Sequence, residues 1–414
     1  MVCIGSACRV TFEDAVFKRC TLIVLSGAQA TLTSPQFRHE ASSTARLSLY
    51  AQGAGTKVDV QGGTITGGTQ GVAVQAGATL TASHLTLTRV KTIGVEVQDE
   101  ASSLKLHHCN MHAFCDRACG VRVHSGSSAE LSHLSLSGMH QAVGIASKAS
   151  ASLADCTVAD CAVAAVSYIS AAAQGVKITG AATGRLDRCS LSGGLIVDGC
   201  GSHAHAAHCQ FLSSGSSVGG SGAAALGGSA LTAESCTSSG QVDSGYFVRG
   251  AGSVMELSHC SSDKDLFGCS AADGGWLKAS NCVASSCGMA GFTVYPRGSA
   301  VLDTCSARCC NGAGARAMGE GARLVLEGCC LQDNGVWGAK AMNDAVVEVN
   351  GCSSSGHQHA GYWAEDRGHM TVKNSISDGD RKGCGVSGGG WLTMEGVTVD
   401  GGQQSGQLPK GILP

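Results

Sequence analysis

Proline is nearly missing from this sequence, with four residues in 414. Glycine is plentiful at 60, but it follows no three-residue period, so collagen and Pro-rich disordered segments are excluded. Charge is scarce: Asp, Glu, Lys and Arg make up 14% and the formal net charge is −3. No electrostatic pull toward nucleic acid or an acidic membrane surface follows from that. No apolar run approaches the ~18 residues of a membrane-spanning helix. None of the seven Asn sits in an Asn-x-Ser/Thr acceptor. At the start, MVCIGSACRVTFEDAVFKRC is interrupted by Arg9, Glu13, Asp14 and Lys18, and so lacks the order of a secretory signal. These absences favour a cytoplasmic protein, with secretion as the alternative, and exclude membrane and nucleic acid from the expected partners.

What is present is a repeat. GVAVQAGATLTASHL (71–85), GVEVQDEASSLKLHHC (94–109), GYFVRGAGSVMELSHC (245–260), GFTVYPRGSAVLDTC (291–305) and GYWAEDRGHMTVKNS (361–375) are one sentence rewritten. Their end residues form the series Leu85, Cys109, Leu134, Cys156, Cys189, Cys209, Cys236, Cys260, Cys282, Cys305, Cys329, Cys352, Ser375 and Val397. Most steps are 22 to 25 residues; the exceptions are 33 and then 20 around Cys189, followed by 27 to Cys236. A fixed period of this size marks a solenoid, in which a unit buries its apolar face only against its neighbours. Each unit holds three short stretches alternating at period two, which are strands. None has ten residues at helical spacing, which disfavours leucine-rich and ankyrin repeats. The reading is an all-β, single-chain, right-handed parallel β-helix of about 14 coils of ~23 residues, with three short strands per coil. Residues 1–60 read as degenerate N-terminal coils, 61–402 as the β-helix and 403–414 as a tail. Residues 164–183 read as an insertion. Uncapped strand edges at the ends suggest docking on a partner, end-to-end association or a larger chain.

The pattern G-[V/Y/F]-x-V, turn, L-x-L-x-x-C, x-[L/V] resembles the right-handed β-helix repeats of pectin-lyase-like proteins. That resemblance implies the fold. The family spans polysaccharide lyases, hydrolases and epimerases, and also intracellular members without known catalysis. Its hydrolase signatures (Asn-Thr-Asp, Asp-Asp, Gly-His-Gly, Arg-Ile-Lys) and the epimerase-type Asp-Pro-His are missing here, so the resemblance does not carry catalysis with it.

The 23 cysteines mostly occupy one position of the repeat. Stacked inside a coil near a corner, a small, fairly apolar residue is required there, and reduced Cys fits; some disulfides are the alternative. For metals, CGSHAHAAHC offers His203, His205, His208 and Cys209, the donor types zinc takes. No cofactor is expected, with Ca²⁺ or Zn²⁺ as the alternatives. A second row, one residue before the cysteines, holds His84, His108 and His133; a polar, solvated corner explains it, and a metal-binding or pH-sensitive edge is the sharper reading.

Enzymes on such a fold use carboxylates on adjacent coils. The best set here is Asp303, Glu327, Glu348 and Lys373. All four Trp fall in the C-terminal third. The middle residue of G-[V/Y]-x-V should point outward, placing Phe247, Arg316, Trp337 and Trp363 on one row, with Trp337 and Trp363 as neighbours. Aromatics beside Arg mark binding surfaces. The leading expectation is a non-catalytic binding or scaffold protein that engages a protein or polysaccharide through that row. The alternative is a carbohydrate-active enzyme using the carboxylates.

Overall fold

The computed structural model describes residues 1–40, 47–112, 114, 118–159, 174–213 and 220–400. All described regular structure is β: 51 strands and no helix. The strands come in triplets of about six, five and three residues, one triplet per coil. Two compact units divide the chain, Met1–Gly220 and Ser221–Pro414. The first holds nine triplets and the second eight, seventeen in all or about sixteen full turns, where about fourteen coils were expected. The surplus lies at the N-terminus. Residues Val2–Thr66 form three triplets whose strands pair in parallel with their successors, as Leu22–Leu25 does with Leu49–Gln52. The tail 403–414, the first half of the 164–183 insertion, Cys115 and Cys161 lie outside the described residues. The described end of the insertion, Gln174–Thr179, is an ordinary first-sheet strand paired with Gln141–Ile145.

Within each unit the first strands of successive coils form one parallel sheet, the second strands another and the third strands a third. Pairing partners lie one repeat apart: Leu302 faces Leu326, and Leu326 faces Val349. Side chains alternate across each sheet, so Leu104, Leu106, Leu324, Leu326, Val347 and Val349 are all buried in the interior. The cysteines of the repeat are buried too. Cys305, Cys329 and Cys352 stack, each Sγ donating to a carbonyl of the preceding coil (Ala279, Leu302 and Leu326) at 3.4–3.5 Å. Ser375 continues the column and accepts the Cys352 N–H at 3.1 Å. Burial pushes up the thiols of Cys119, to about 11, and Cys384, to about 12.

The residue before each cysteine has a physical job. His84, His108, His133, Asp155, Arg188, His208, Ser235, His259, Asn281 and Thr304 all sit at φ between 49° and 55°. This is the corner between the second and third sheets. A left-handed backbone there favours Gly, Asn, Asp and His over β-branched residues, and Gly328 and Gly351 fill it in two later coils. The polar row follows from the corner's backbone.

The glycine second in most first-sheet strands serves another purpose. A Cβ on Gly338 would lie 2.3 Å from Ser354 Oγ and 2.5 Å from the Gly361 carbonyl. Close approach of neighbouring coils excludes any side chain.

Behind that glycine the second unit hides a buried polar column. The Gln241 N–H donates to Asp265 Oδ1 at 2.7 Å, the Cys310 N–H to Asn334 Oδ1 at 3.1 Å, the Asn334 N–H to His357 Nδ1 at 3.1 Å, and the His357 N–H to Asp380 Oδ1 at 2.8 Å. Each side chain satisfies an amide that the turn leaves unpaired and that burial would otherwise penalise. Ser262 also donates to Asp265, at 2.5 Å. Burial raises the Asp265 carboxyl to about 6.

Candidate functional site

The aromatic and cationic residues meet on the first sheet of the second unit, in two rows. Strand starts give Phe267, Ala290, Ala313, Trp337, Ala360 and Lys382. Three residues on come Ser270, Thr293, Arg316, Lys340, Trp363 and Gly385. The expected row is therefore corrected at one coil. Trp337 is not the neighbour of Trp363; Lys340 is. The sequence holds two candidate glycines, in Gly335-Val336-Trp337-Gly338, and the coil begins on the second. Phe247 shares the second row but stands three coils from Arg316, by way of Ser270 and Thr293.

Small residues separate the large ones. Phe267 packs with Ala290 and Ala313, with Tyr295 and Trp337 against them. The Arg316 guanidinium lies 5.3 Å from the centre of the Phe267 ring and donates from Nε to Thr293 Oγ1 at 3.3 Å. Lys340 is 5% exposed. Its ammonium sits 3.6 Å from the centre of the Trp337 ring and 2.5 Å from Glu365 Oε1. The ring quadrupole and the carboxylate both face the buried ammonium. Trp363 is not an open aromatic either, at 9% exposure. Its ring lies across Gly385, where a Cβ would fall 2.3 Å from Cζ3. Nε1 donates to Glu365 Oε2 at 3.1 Å, and Lys382 Nζ stands 5.4 Å from the ring centre.

His359 joins the two tryptophans, its ring 5.9 Å from Trp337 and 4.6 Å from Trp363. Burial first, then Lys382, Lys340 and Arg381, hold its basicity below the usual imidazole range. The imidazole stays neutral. Two buried atoms of this cluster, Trp337 Nε1 and His359 Nδ1, have no hydrogen-bond partner among the described residues. Buried polar atoms are normally satisfied, so these two are exceptions within the cluster. Sequence reasoning found Arg316, Trp337 and Trp363. It missed Lys340, His359, Lys382, Phe267 and Tyr295, because alanines fill the Val and Tyr slots of Gly338-Ala339-Lys340-Ala341 and hide the motif.

The carboxylate set lies on the second sheet and is partly pre-engaged. Asp303 faces Glu327 across one pairing, and Glu327 faces Asn350. Lys373 follows Asn350 and pairs with Glu395 at 3.1 Å. Glu348 is held by Arg323 at 2.8 Å. Asp303 accepts from Thr304 Oγ1 at 2.8 Å. Asp303, Glu327 and Lys373 are exposed.

The proposed metal set is divided by the wall of the coil. In the strand His203–Ala207, His203 and His205 face outward; Cys209 is buried inside and donates from Sγ to the Ala207 carbonyl at 3.3 Å. His208 turns out at the left-handed corner. His203 Nδ1 is taken by the Gly201 carbonyl at 2.7 Å. The four donors do not converge.

The first unit carries a hollow of its own, of about 380 Å³, lined by Arg122, His124, Gln141, Gly144 and Lys177 among others. Gly144 stands between Arg122 and Lys177 in the pairing, so a missing side chain between two cations opens it.

Comparison with known proteins finds the family described as "right handed beta helix region" matching residues 119–306 and 268–409. No curated protein matches the chain. Among solved structures, the N-terminal fragment of bacteriophage phi29 gene product 12 is similar at 9% identity and a TM-score of 0.49, covering 92% of this chain and 87% of that one. The protein solved as the Vag8–C1 inhibitor complex is similar at 14% identity and a TM-score of 0.47, with 96% and 98% covered. The periplasmic alginate epimerase AlgG is similar at 8% identity and a TM-score of 0.31, with 90% and 77% covered. None of these likenesses bears on ligand or activity.

Proposed function

Because the chain belongs to the right-handed β-helix family, a fold that hosts many functions, we propose its function from the site alone: a non-catalytic binding protein that holds a saccharide chain against the first sheet of its second unit. The observation carrying this reading is the pair of buried, unpartnered polar atoms, Trp337 Nε1 and His359 Nδ1, set among aromatic rings and cations. An indole N–H donates and a neutral imidazole nitrogen accepts or donates according to tautomer. Hydroxyl groups match both. Arg316, Lys340 and Lys382 outnumber the nearby carboxylates Glu365 and Asp243, which favours a chain that also carries acidic groups. The engagement of Lys373 by Glu395 and of Glu348 by Arg323 argues against the second-sheet carboxylates as an acid–base set.

Tryptophan fluorescence titration with acidic and neutral oligosaccharides tests this. Saturable binding is expected, weakened at least tenfold, about 1.4 kcal/mol, by Trp337→Phe, which removes the N–H and keeps a ring. Polysaccharide incubated with the protein, with and without Ca²⁺, should be recovered uncleaved. Cleavage abolished by Asp303→Asn would overturn the reading in favour of catalysis. Absence of saccharide binding, with capture of a protein ligand sensitive to Trp337→Phe, would replace the ligand.

A further inference from the structure

Three imidazoles in the first unit come together without any motif in the local sequence. His107 ends the second-sheet strand Ser103–His107, His108 occupies the left-handed corner that follows, and His133 occupies the same corner one coil on. One ring nitrogen from each lies within 4.8 Å of the others. The His108 and His133 rings stack at 4.5 Å, the His107 ring stands against His108 at 4.1 Å and His133 at 5.2 Å, and His84 extends the stack at 5.2 Å from His108. All three are exposed.

The backbone pre-arranges this group. His108 and His133 share φ 51°, so their side chains leave the chain in the same direction, one coil apart. His107 is aimed by a second contact: its Nδ1 hydrogen-bonds Ser132 Oγ at 2.8 Å. That bond leaves Nε2 for another partner, which is how metal-binding histidines are usually oriented. The other nearby charge is spent, because Asp155, 4.0 Å from His133 Nε2, is clasped by Arg188 at 2.7 and 2.9 Å. The donor set is thus three imidazoles and no carboxylate. Exposed imidazoles tilt readily because their outer torsion is broad.

We infer that His107, His108 and His133 form a binding site for a borderline divalent transition-metal ion, of the class Zn²⁺, Ni²⁺ or Cu²⁺, that ties two adjacent coils of the first unit. Imidazole selects these ions over Ca²⁺ and Mg²⁺, which take oxygen donors. Three protein ligands leave coordination positions for water or an incoming donor. The inference is independent of the saccharide reading and places the metal elsewhere than the His203–Cys209 stretch.

Isothermal titration of the full chain with Ni²⁺ tests it. Ni²⁺ is the probe because the many thiols would compete more strongly for Zn²⁺. Asn tolerates the left-handed corner, so His108→Asn and His133→Asn preserve the backbone; unchanged circular dichroism checks this. One Ni²⁺ per chain is expected. Binding should weaken at least tenfold in each Asn variant and in His107→Gln, and by roughly 10-fold in Ser132→Ala, where only the orienting bond is lost. His203→Gln should bind as the parent does. No Ni²⁺ binding by the parent chain, or binding lost in His203→Gln but retained in His108→Asn and His133→Asn, overturns the site.

Discussion

Single residues in this protein are chosen by the place each holds in a coil, and Asp265 shows the cost. It fills the same inward corner as Asn334 and accepts an amide N–H in the same way, yet burial raises its carboxyl to about 6 from 3.8. The sign follows by linkage. An acid whose folded pKa exceeds its unfolded value binds its proton more tightly in the fold. Its stabilising contribution is complete below about pH 4 and is lost as pH rises through about 6. The shift corresponds to something on the order of 3 kcal/mol. Asp265→Asn keeps the acceptor and removes the charge. Urea unfolding should show the variant equal to the parent near pH 4 and more stable at pH 7.5; equal stability at both values would contradict the assignment. This column was not legible beforehand. Asp265, Asn334, His357 and Asp380 are not of one residue type, and only the folded register reveals that each accepts an equivalent unpaired amide. The cysteine column was legible, because one residue type recurs at one phase.

Each strand triplet is an element whose corners carry opposite demands on glycine. At Gly338 the demand is space: a Cβ meets a backbone carbonyl at 2.5 Å, and backbone cannot step aside. At Gly351 the demand is conformation: φ is 62° and nothing lies within 4 Å. Gly338→Ala should lower stability by roughly 1–3 kcal/mol or more. Gly351→Asn should be nearly neutral, because Asn374 holds the same corner at φ 47°. Chemical denaturation of the two variants checks this; equal losses would mean the corners are misassigned. The same distinction explains the sequence-level error at Trp337. Period alone cannot choose between Gly335 and Gly338, and both approach a neighbouring backbone closely, but only Gly338 directly precedes a buried inward residue, Ala339. Lys340 then takes the place given to Trp337. The insertion at 164–183 and the 33-residue step around Cys189 resisted reading for a related reason: added residues leave the coil's phase without a marker. The N-terminal coils depart from the repeat, with Thr21 standing before Leu22–Leu25 where later coils have glycine. Their alternation was intact, and their strands pair in register.

Across the molecule the organising fact is that residues one repeat apart are neighbours, so surface chemistry is written down columns rather than along the chain. The histidine cluster, the aromatic–cation rows and the ion pairs all follow from it. Zero-length carbodiimide coupling read by mass spectrometry tests that fact directly, since it joins only an amine and a carboxylate already in contact. Lys105 lies 2.8 Å from Glu130, Lys373 lies 3.1 Å from Glu395, and Lys340 touches Glu365. The exposed pairs should couple readily, Lys105 to Glu130 in the first unit and Lys373 to Glu395 in the second. Buried Lys340 should couple to Glu365 only slowly. Cross-links from Lys105 and Lys373 to carboxylates several repeats away, in place of these partners, would contradict the stacking and every row drawn from it.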